Sequence, residues 1–157
     1  PSFLVAKVTY VDSFKGTKVF FKNLEHIKSY IERYKTYEDD VFIDYYHQDY
    51  QKPLSIEPVD MIVSQYAGFV GQATKAYLKK GGILLCNDSH GDATLAYLDN
   101  DYRFIGVVDD KNQLMMNGLD IFFTFARPRP IDKEKVLKTM KGPKYKVQPK
   151  SYVFIKA

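Results

Sequence analysis

The stretch Val59–His90, VDMIVSQYAGFVGQATKAYLKKGGILLCNDSH, decides the predicted fold. Val59–Val63 is a mostly apolar run that is too short for a helix, and Gly82–Cys86 is apolar throughout. Between these runs, Gly71–Lys80 carries apolar residues with helical spacing, at Ala73, Ala76, Tyr77 and Leu78. Two strands joined by a helix predict a right-handed βαβ unit, in which the strands run parallel.

The polar residues in this stretch fall where the predicted elements end. Gly81 and Gly82 predict the end of the helix, because glycine adopts the left-handed cap conformation and the lysines before them face the negative end of the helix dipole. Ser64-Gln65-Tyr66 follows the first strand, and Asn87–His90 follows the second. Open α/β sheets bind ligands at the carboxyl ends of their strands, so we expect these two groups to lie side by side.

Two segments of this unit resemble the class I S-adenosylmethionine-dependent methyltransferases. VDMIVSQYAGF is similar to that family's fourth strand, and LKKGGILLCND is similar to the L-x-x-G-G-x-L start of its fifth strand. The resemblance implies an α/β fold: a three-layer Rossmann-like sandwich whose sheet is mostly parallel, with antiparallel strands at its C-terminal end. These 157 residues contain no glycine-rich G-x-G-x-G loop, so we expect a methyltransferase-like domain that lacks the first strand and that loop.

The remaining segments predict further strands and helices around this unit. The predicted strands are Phe3–Val11, Val41–Tyr46, Tyr102–Val108 and Ser151–Lys156. Helices are predicted after the N-caps Asn23 and Asp132, with a short one at Ala93–Leu98. Thr17–Phe21 is either a hairpin strand or the lead-in to a helix, and Asn117-Gly118 predicts a hairpin between QLMM and LDIFFTF. Without repeats or linkers, residues 1–157 are interpreted as a single domain, either complete or truncated at its N-terminus.

Composition indicates the cellular compartment and the possible partners of the protein, but not its activity. The net charge is +4 and the pI is near 9, which permits an anionic partner. The segment LKTMKGPKYKVQPK is rich in lysine but contains no arginine-rich block. This pattern favours a solvated surface segment, although a nucleic-acid partner stays open. Cys86 is the only cysteine, and no apolar run approaches the ~20 residues of a membrane span. We therefore expect a cytoplasmic protein without a membrane partner.

The resemblance also implies a cofactor side of the site. Asp12 ends a predicted strand, where a carboxylate can accept hydrogen bonds from ribose hydroxyls; the alternative is a turn residue in DSFKG. Asp49, with Tyr50 beside it, has the place of the family's adenine-side carboxylate, and Asp44 competes for that role. With Ser64, these residues would bind S-adenosylmethionine if the missing N-terminal loop were supplied.

The acceptor side is predicted from the polar strand ends. Amino-group methylating members of the family carry D/N-P-P-Y/F after the fourth strand, and Ser64-Gln65-Tyr66-Ala67 keeps only the aromatic residue. We expect Tyr66 and His90 to be catalytic, Tyr66 by stacking and His90 as a base, with a turn or helix cap as the alternative for His90. Gln65 and Asn87 would bind the acceptor, which is open among nucleobases, small metabolites and protein side chains.

Two functions therefore stay open at this point. The first is a methyltransferase, or most of one, that uses a small-molecule cofactor and transfers a methyl group to an unidentified acceptor. The second is a catalytically silent Rossmann-like module with a binding or scaffolding role. His26, His47 and His90 are too scattered, and Cys86 too solitary, to predict a metal site.

Overall fold

The computed structural model describes residues 1–157, which form two compact units, Pro1–Leu54 and Ser55–Ala157. No helix in either unit combines the length and the apolar character that are needed to cross a bilayer. The interpretation of residues 1–157 as a single domain stays a prediction.

The N-terminal unit contains a two-stranded parallel sheet and two helices. Its elements are β1 (Lys7–Val11), α1 (Lys15–Phe20), α2 (Leu24–Tyr34) and β2 (Phe42–Tyr46). Lys7 pairs with Phe42 at one end of the sheet and Val11 with Tyr46 at the other. The predicted N-cap is confirmed, since the Asn23 side chain accepts from the backbone amide of His26 at 3.3 Å. The core of this unit consists of Ile31, Val41 and Ile43, with Tyr10, Phe21, Leu24, Ile27 and Tyr37 packed against them.

The C-terminal unit is built on a five-stranded mixed sheet. Its elements are β3 (Val59–Ser64), α3 (Val70–Ala73), β4 (Leu78–Cys86), α4 (Asp92–Tyr97), β5 (Tyr102–Val108), β6 (Leu114–Met115), α5 (Lys133–Thr139) and β7 (Ser151–Lys156). The strand order is β3-β4-β7-β5-β6, and β3 and β4 form its one parallel pair. The predicted strands Tyr102–Val108 and Ser151–Lys156 are confirmed, as is the Asp132 cap, whose carboxylate accepts from the Lys135 amide.

The three-layer Rossmann-like sandwich with a mostly parallel sheet is wrong, although the fold is still α/β. Three of the four strand pairs in the larger sheet are antiparallel, and the parallel pair β1-β2 belongs to a separate sheet. The helices α3, α4 and α5 have four, six and seven residues. Helices this short cannot form two layers that cover both faces of a five-stranded sheet.

The predicted helix Gly71–Lys80 is also wrong. The α-helix ends at Ala73, a 3-10 helix spans Lys75–Tyr77, and tertiary packing places the last three residues in a strand. Leu78 is 1% exposed and pairs with Val59, so β4 begins there. The next pair is Met61 with Ile83, which leaves Lys79–Gly82 in a bulge. A Cβ on Gly82 would lie 2.9 Å from the Lys79 carbonyl oxygen. The glycines therefore permit a bulge with close backbone approach, rather than a helix cap.

The predicted Asn117-Gly118 hairpin is replaced by an earlier turn. β5 and β6 are joined through Asp109–Gln113, where the Asp109 carboxylate accepts from the amides of Lys111 and Gln113. The segment after Gly118 does not form a strand, because Phe122 and Phe123 are buried against β7. Burial of two aromatic rings outweighs the local hairpin preference at this point.

Candidate functional site

One edge of the five-stranded sheet brings together the ends of four strands. Ser64, the last residue of β3, pairs with Cys86, the last residue of β4. Cys86 also pairs with Tyr152 near the start of β7, and Ser151 pairs with Val108 at the end of β5. The prediction that the polar groups after β3 and β4 lie side by side is therefore confirmed.

A cavity of about 390 Å³ opens at this edge. Its lining residues are Tyr66, Asn87, Asp88, Ser89, Asp110, Gly142, Gln148, Pro149, Lys150 and Tyr152. Tyr66 is 72% exposed, and its backbone adopts the left-handed conformation with φ of 57°. This conformation costs a residue with a Cβ about 1 to 3 kcal/mol, and the Asn87 side chain helps to hold it by accepting from the Tyr66 amide at 3.4 Å.

Asn87 and Tyr152, which line the cavity, each carry a buried side-chain donor without a hydrogen-bond partner. Asn87 is 7% exposed; its Oδ1 accepts from the amide and hydroxyl of Ser89, while its Nδ2 is unpaired. Tyr152 is 1% exposed, and its hydroxyl is unpaired as well. Each unsatisfied buried donor costs about 1 to 3 kcal/mol, so both would gain from a ligand that offers acceptors.

Two buried carboxyl groups follow β4. Asp88 accepts from the amide and hydroxyl of Thr94, both at 2.7 Å, and Asp92 accepts from the Gly71 amide at 3.0 Å. Burial raises the pKa of each carboxyl group to about 6. Their hydrogen bonds connect α3 and the loop after β4 to α4, so both carboxyl groups support this edge of the sheet.

A second cavity of about 340 Å³ lies at the same edge and shares Tyr66 and Lys150 with the first. Its other lining residues are Gln65, Leu85, Val108, Asn112 and Ser151. The Gln65 Oε1 accepts from the Ser151 hydroxyl at 3.3 Å, and its buried Nε2 has no partner. The predicted acceptor residues Gln65, Tyr66 and Asn87 are thus all placed at these cavities.

His90 and Ser64 have other surroundings. His90 is half-buried, and its Nδ1 lies 2.9 Å from the Ser89 hydroxyl, but His90 lines neither cavity. Ser64 is 3% exposed, and its hydroxyl forms a hydrogen bond to Asp92 that lowers the pKa of that carboxyl group. A catalytic role for His90 and a cofactor role for Ser64 stay predictions.

The other predicted cofactor residues, Asp12, Asp49 and Tyr50, belong to the N-terminal unit. The Asp12 carboxylate accepts from the Phe14 amide at 2.8 Å and from the Thr17 hydroxyl at 2.6 Å. The Thr17 hydrogen bond is the main cause that lowers the pKa of Asp12. Asp49 is exposed and accepts from the Gln51 amide at 2.9 Å. Both carboxylates have the contacts of turn residues.

Sequence reasoning missed Tyr152, Lys150 and Asp88 as site residues. Tyr152 lies inside a predicted strand, and only the pairing of β7 with β4 brings it to the cavity. No local pattern marks such a residue, because its strand partners Cys86 and Val107 are distant along the chain. Asp88 had a signal, since it lies between two residues that were predicted for the site.

No family model, curated protein or solved structure matches the chain. No group of three or more His, Cys, Asp or Glu side chains is placed to hold a metal ion. The resemblance to class I methyltransferases stays a prediction.

Proposed function

We propose that the C-terminal unit binds a planar heterocyclic ligand in the 390 Å³ cavity, with the Tyr66 ring stacked on it. The observation that carries this proposal is an exposed aromatic ring, held in a costly backbone conformation, at a cavity lined by two residues with unpaired buried donors. Strain and unsatisfied polar groups persist in folded proteins chiefly where function uses them.

The polar lining defines the hydrogen-bonding character of the ligand. Asn87 Nδ2 and the Tyr152 hydroxyl would donate to carbonyl oxygens or ring nitrogens. Asp110 also lines the cavity, and its carboxylate can accept from an exocyclic amino group. Asp88 is already held by Thr94. A heterocycle with both acceptors and an amino group, such as a nucleobase, fits this lining best.

Methyl transfer to that ligand is a second proposal, favoured by the parallel pair β3-β4 with polar residues after both strands, as the resemblance implies. The residues present do not make a complete cofactor site: Asp12 and Asp49 close local turns, and the Ser64 hydroxyl is bonded to Asp92. The single buried Cys86 supports a reducing, cytoplasmic setting, which is likewise a proposal.

Calorimetric titration of the full chain with adenosine, cytidine and guanosine, with ribose as the control, tests the binding proposal. We expect heat of binding from at least one nucleoside and none from ribose. Tyr66→Ala should abolish binding, and Tyr66→Phe should recover most of it because the aromatic face is kept. If no nucleoside binds more tightly than ribose, the proposal is wrong.

Titration with S-adenosylmethionine tests the second proposal separately. Without a glycine-rich loop to approach the cofactor, we expect these 157 residues alone not to bind it measurably. Tight binding by this chain would show that the missing loop was wrongly inferred, and radiolabel transfer to a nucleoside could then be followed directly.

A further inference from the structure

We propose that the natural ligand of this edge is single-stranded nucleic acid, with successive bases on the two sides of Tyr66 and the phosphate between them at Lys150. This inference rests on the proposed function, because one base of the strand would be the planar ligand that is proposed for the 390 Å³ cavity. Three observations carry it: the charge of residues 126–150, their continuity with the cavities, and the position of Tyr66.

Residues 126–150 form a basic segment with a large excess of positive charge. They contain nine lysines and arginines and two acids, whereas the rest of the C-terminal unit is acidic. All nine cations are exposed, and none forms an ion pair. The lysines that do form ion pairs all lie elsewhere: Lys28, Lys35, Lys75 and Lys79. A run of exposed, unpaired cations is the electrostatic footprint of a polyanion.

The basic segment reaches the cavities directly. Gly142, Gln148, Pro149 and Lys150 all line the larger cavity, and Lys150 lines the smaller one as well. The Lys150 ammonium donates to the Asn112 side-chain oxygen and has no carboxylate partner. The Lys150 ammonium is therefore held in place without a carboxylate to neutralise its charge, and it can bind a phosphate.

Tyr66 lines both cavities and is largely exposed. Each cavity is within the size range of small-molecule sites. Two neighbouring bases can use the two cavities on either side of one aromatic side chain only if they are unstacked from each other. Single strands allow this and duplexes do not, which selects a single strand as the ligand.

Charge alone would also suit an acidic peptide, which would meet the same lysines. The carbonyl oxygens of such a peptide could accept from the unpaired donors, but its Asp and Glu side chains offer no planar ring to stack on Tyr66. Asp110 at the larger cavity can accept from the exocyclic amino group of a base, a donor that Asp and Glu side chains lack.

The test is fluorescence anisotropy with the full chain and a fluorescein-labelled mixed-sequence oligonucleotide of twelve residues, as a single strand and as a duplex. We expect the single strand to bind at least about tenfold more tightly than the duplex. Tyr66→Ala should weaken single-strand binding by about 10- to 100-fold, with most of this loss recovered in Tyr66→Phe. Lys150→Gln should reduce the slope of log affinity against log salt by about one. Lys79→Gln, which removes an exposed lysine paired with Asp60, should leave that slope unchanged.

The outcomes separate this inference from the function on which it rests. If nucleosides bind but the oligonucleotide binds no more tightly than they do, the inference of a single-stranded nucleic acid ligand is wrong. The proposal of a nucleobase site is then unaffected. Equal binding of duplex and single strand, or complete competition by poly-glutamate at equal charge, would also overturn the inference. If the oligonucleotide binds equally well to Tyr66→Ala, and no nucleoside binds, both proposals are wrong.

Discussion

The strand ends of the two units are built from similar residues but differ in how their polar groups are satisfied. At the end of β1, both oxygens of the Asp12 carboxylate accept local hydrogen bonds, from Phe14 and Thr17, in a largely open turn. At the ends of β3 and β4, Asp88 and Asp92 are buried, and Asn87 leaves a donor unpaired. Tyr66 adds backbone strain at the same place.

This difference shows that an acid after a strand has no fixed role. Hydrogen bonds lower the pKa of Asp12, whereas burial raises the pKa of Asp88 and Asp92 to about 6. The first arrangement completes a turn. The second maintains an edge with unsatisfied donors and a strained backbone at Tyr66, the two features on which the proposed binding site rests.

The largest expected effect is that of Asp92→Ala on stability. The change would leave the buried Gly71 amide without its acceptor and remove the partner of the Ser64 hydroxyl. We expect a loss of about 3 kcal/mol in the free energy of unfolding, measured by urea denaturation. Asp92→Asn keeps an acceptor of the same shape and should lose much less. Equal losses in the two variants would mean that these hydrogen bonds do not stabilise the edge.

The next effect is a pH dependence contributed by Asp88 and Asp92. Their folded-state pKa of about 6 lies above the ordinary value of 3.8, so between these values the folded state binds more protons than the unfolded state. Their contribution is fully favourable below about pH 4 and is lost as the pH rises through 6, on the order of 2 kcal/mol. Urea denaturation of the wild type and of the double variant Asp88→Asn, Asp92→Asn across this pH range would isolate the contribution of the two carboxyl groups to the free energy of unfolding. The same slope in both proteins would contradict the prediction.

Tyr66→Gly should be stabilising, by about 1 kcal/mol, although it removes the proposed stacking ring. Glycine adopts positive φ without the steric cost that a tyrosine bears, and little of the Tyr66 side chain is buried. Tyr66→Ala keeps the Cβ and serves as the matched control, with no gain expected. Thermal denaturation checks both variants, and a destabilised glycine variant would show that the strain is not stored at Tyr66.

The smallest effect is expected for Asp12→Asn. Its pKa is lowered, so its contribution is present above the ordinary pKa of 3.8 and is lost as the pH falls through the folded-state value, the reverse of Asp88 and Asp92. Because Asp12 is only partly buried, we expect a loss below about 1 kcal/mol at pH 7 after solvent screening. Urea denaturation at pH 7 and pH 3 should show the difference shrinking at the lower pH. A loss as large as that of Asp92→Ala would remove the contrast between the two strand ends.

The sequence by itself determined the features that depend on neighbouring residues. The strands Tyr102–Val108 and Ser151–Lys156 and the helix caps Asn23 and Asp132 are where their local patterns predict. The adjacency of the polar groups after β3 and β4 was predictable too, because parallel neighbours end at the same edge of a sheet. These predictions hold because each depends on backbone geometry over a few positions.

Only the tertiary structure decided the rest. Burial of Leu78 starts β4 within a segment whose pattern predicts a helix, and Gly81 and Gly82 lie in a bulge of that strand. Burial of Phe122 and Phe123 prevents the hairpin that Asn117-Gly118 predicts. The insertion of β7 between β4 and β5 brought Tyr152 and Lys150 to the strand ends and made the larger sheet mostly antiparallel. Such outcomes follow from long-range pairing, in which the free energy of burying apolar surface exceeds local preferences of about 1 kcal/mol per residue.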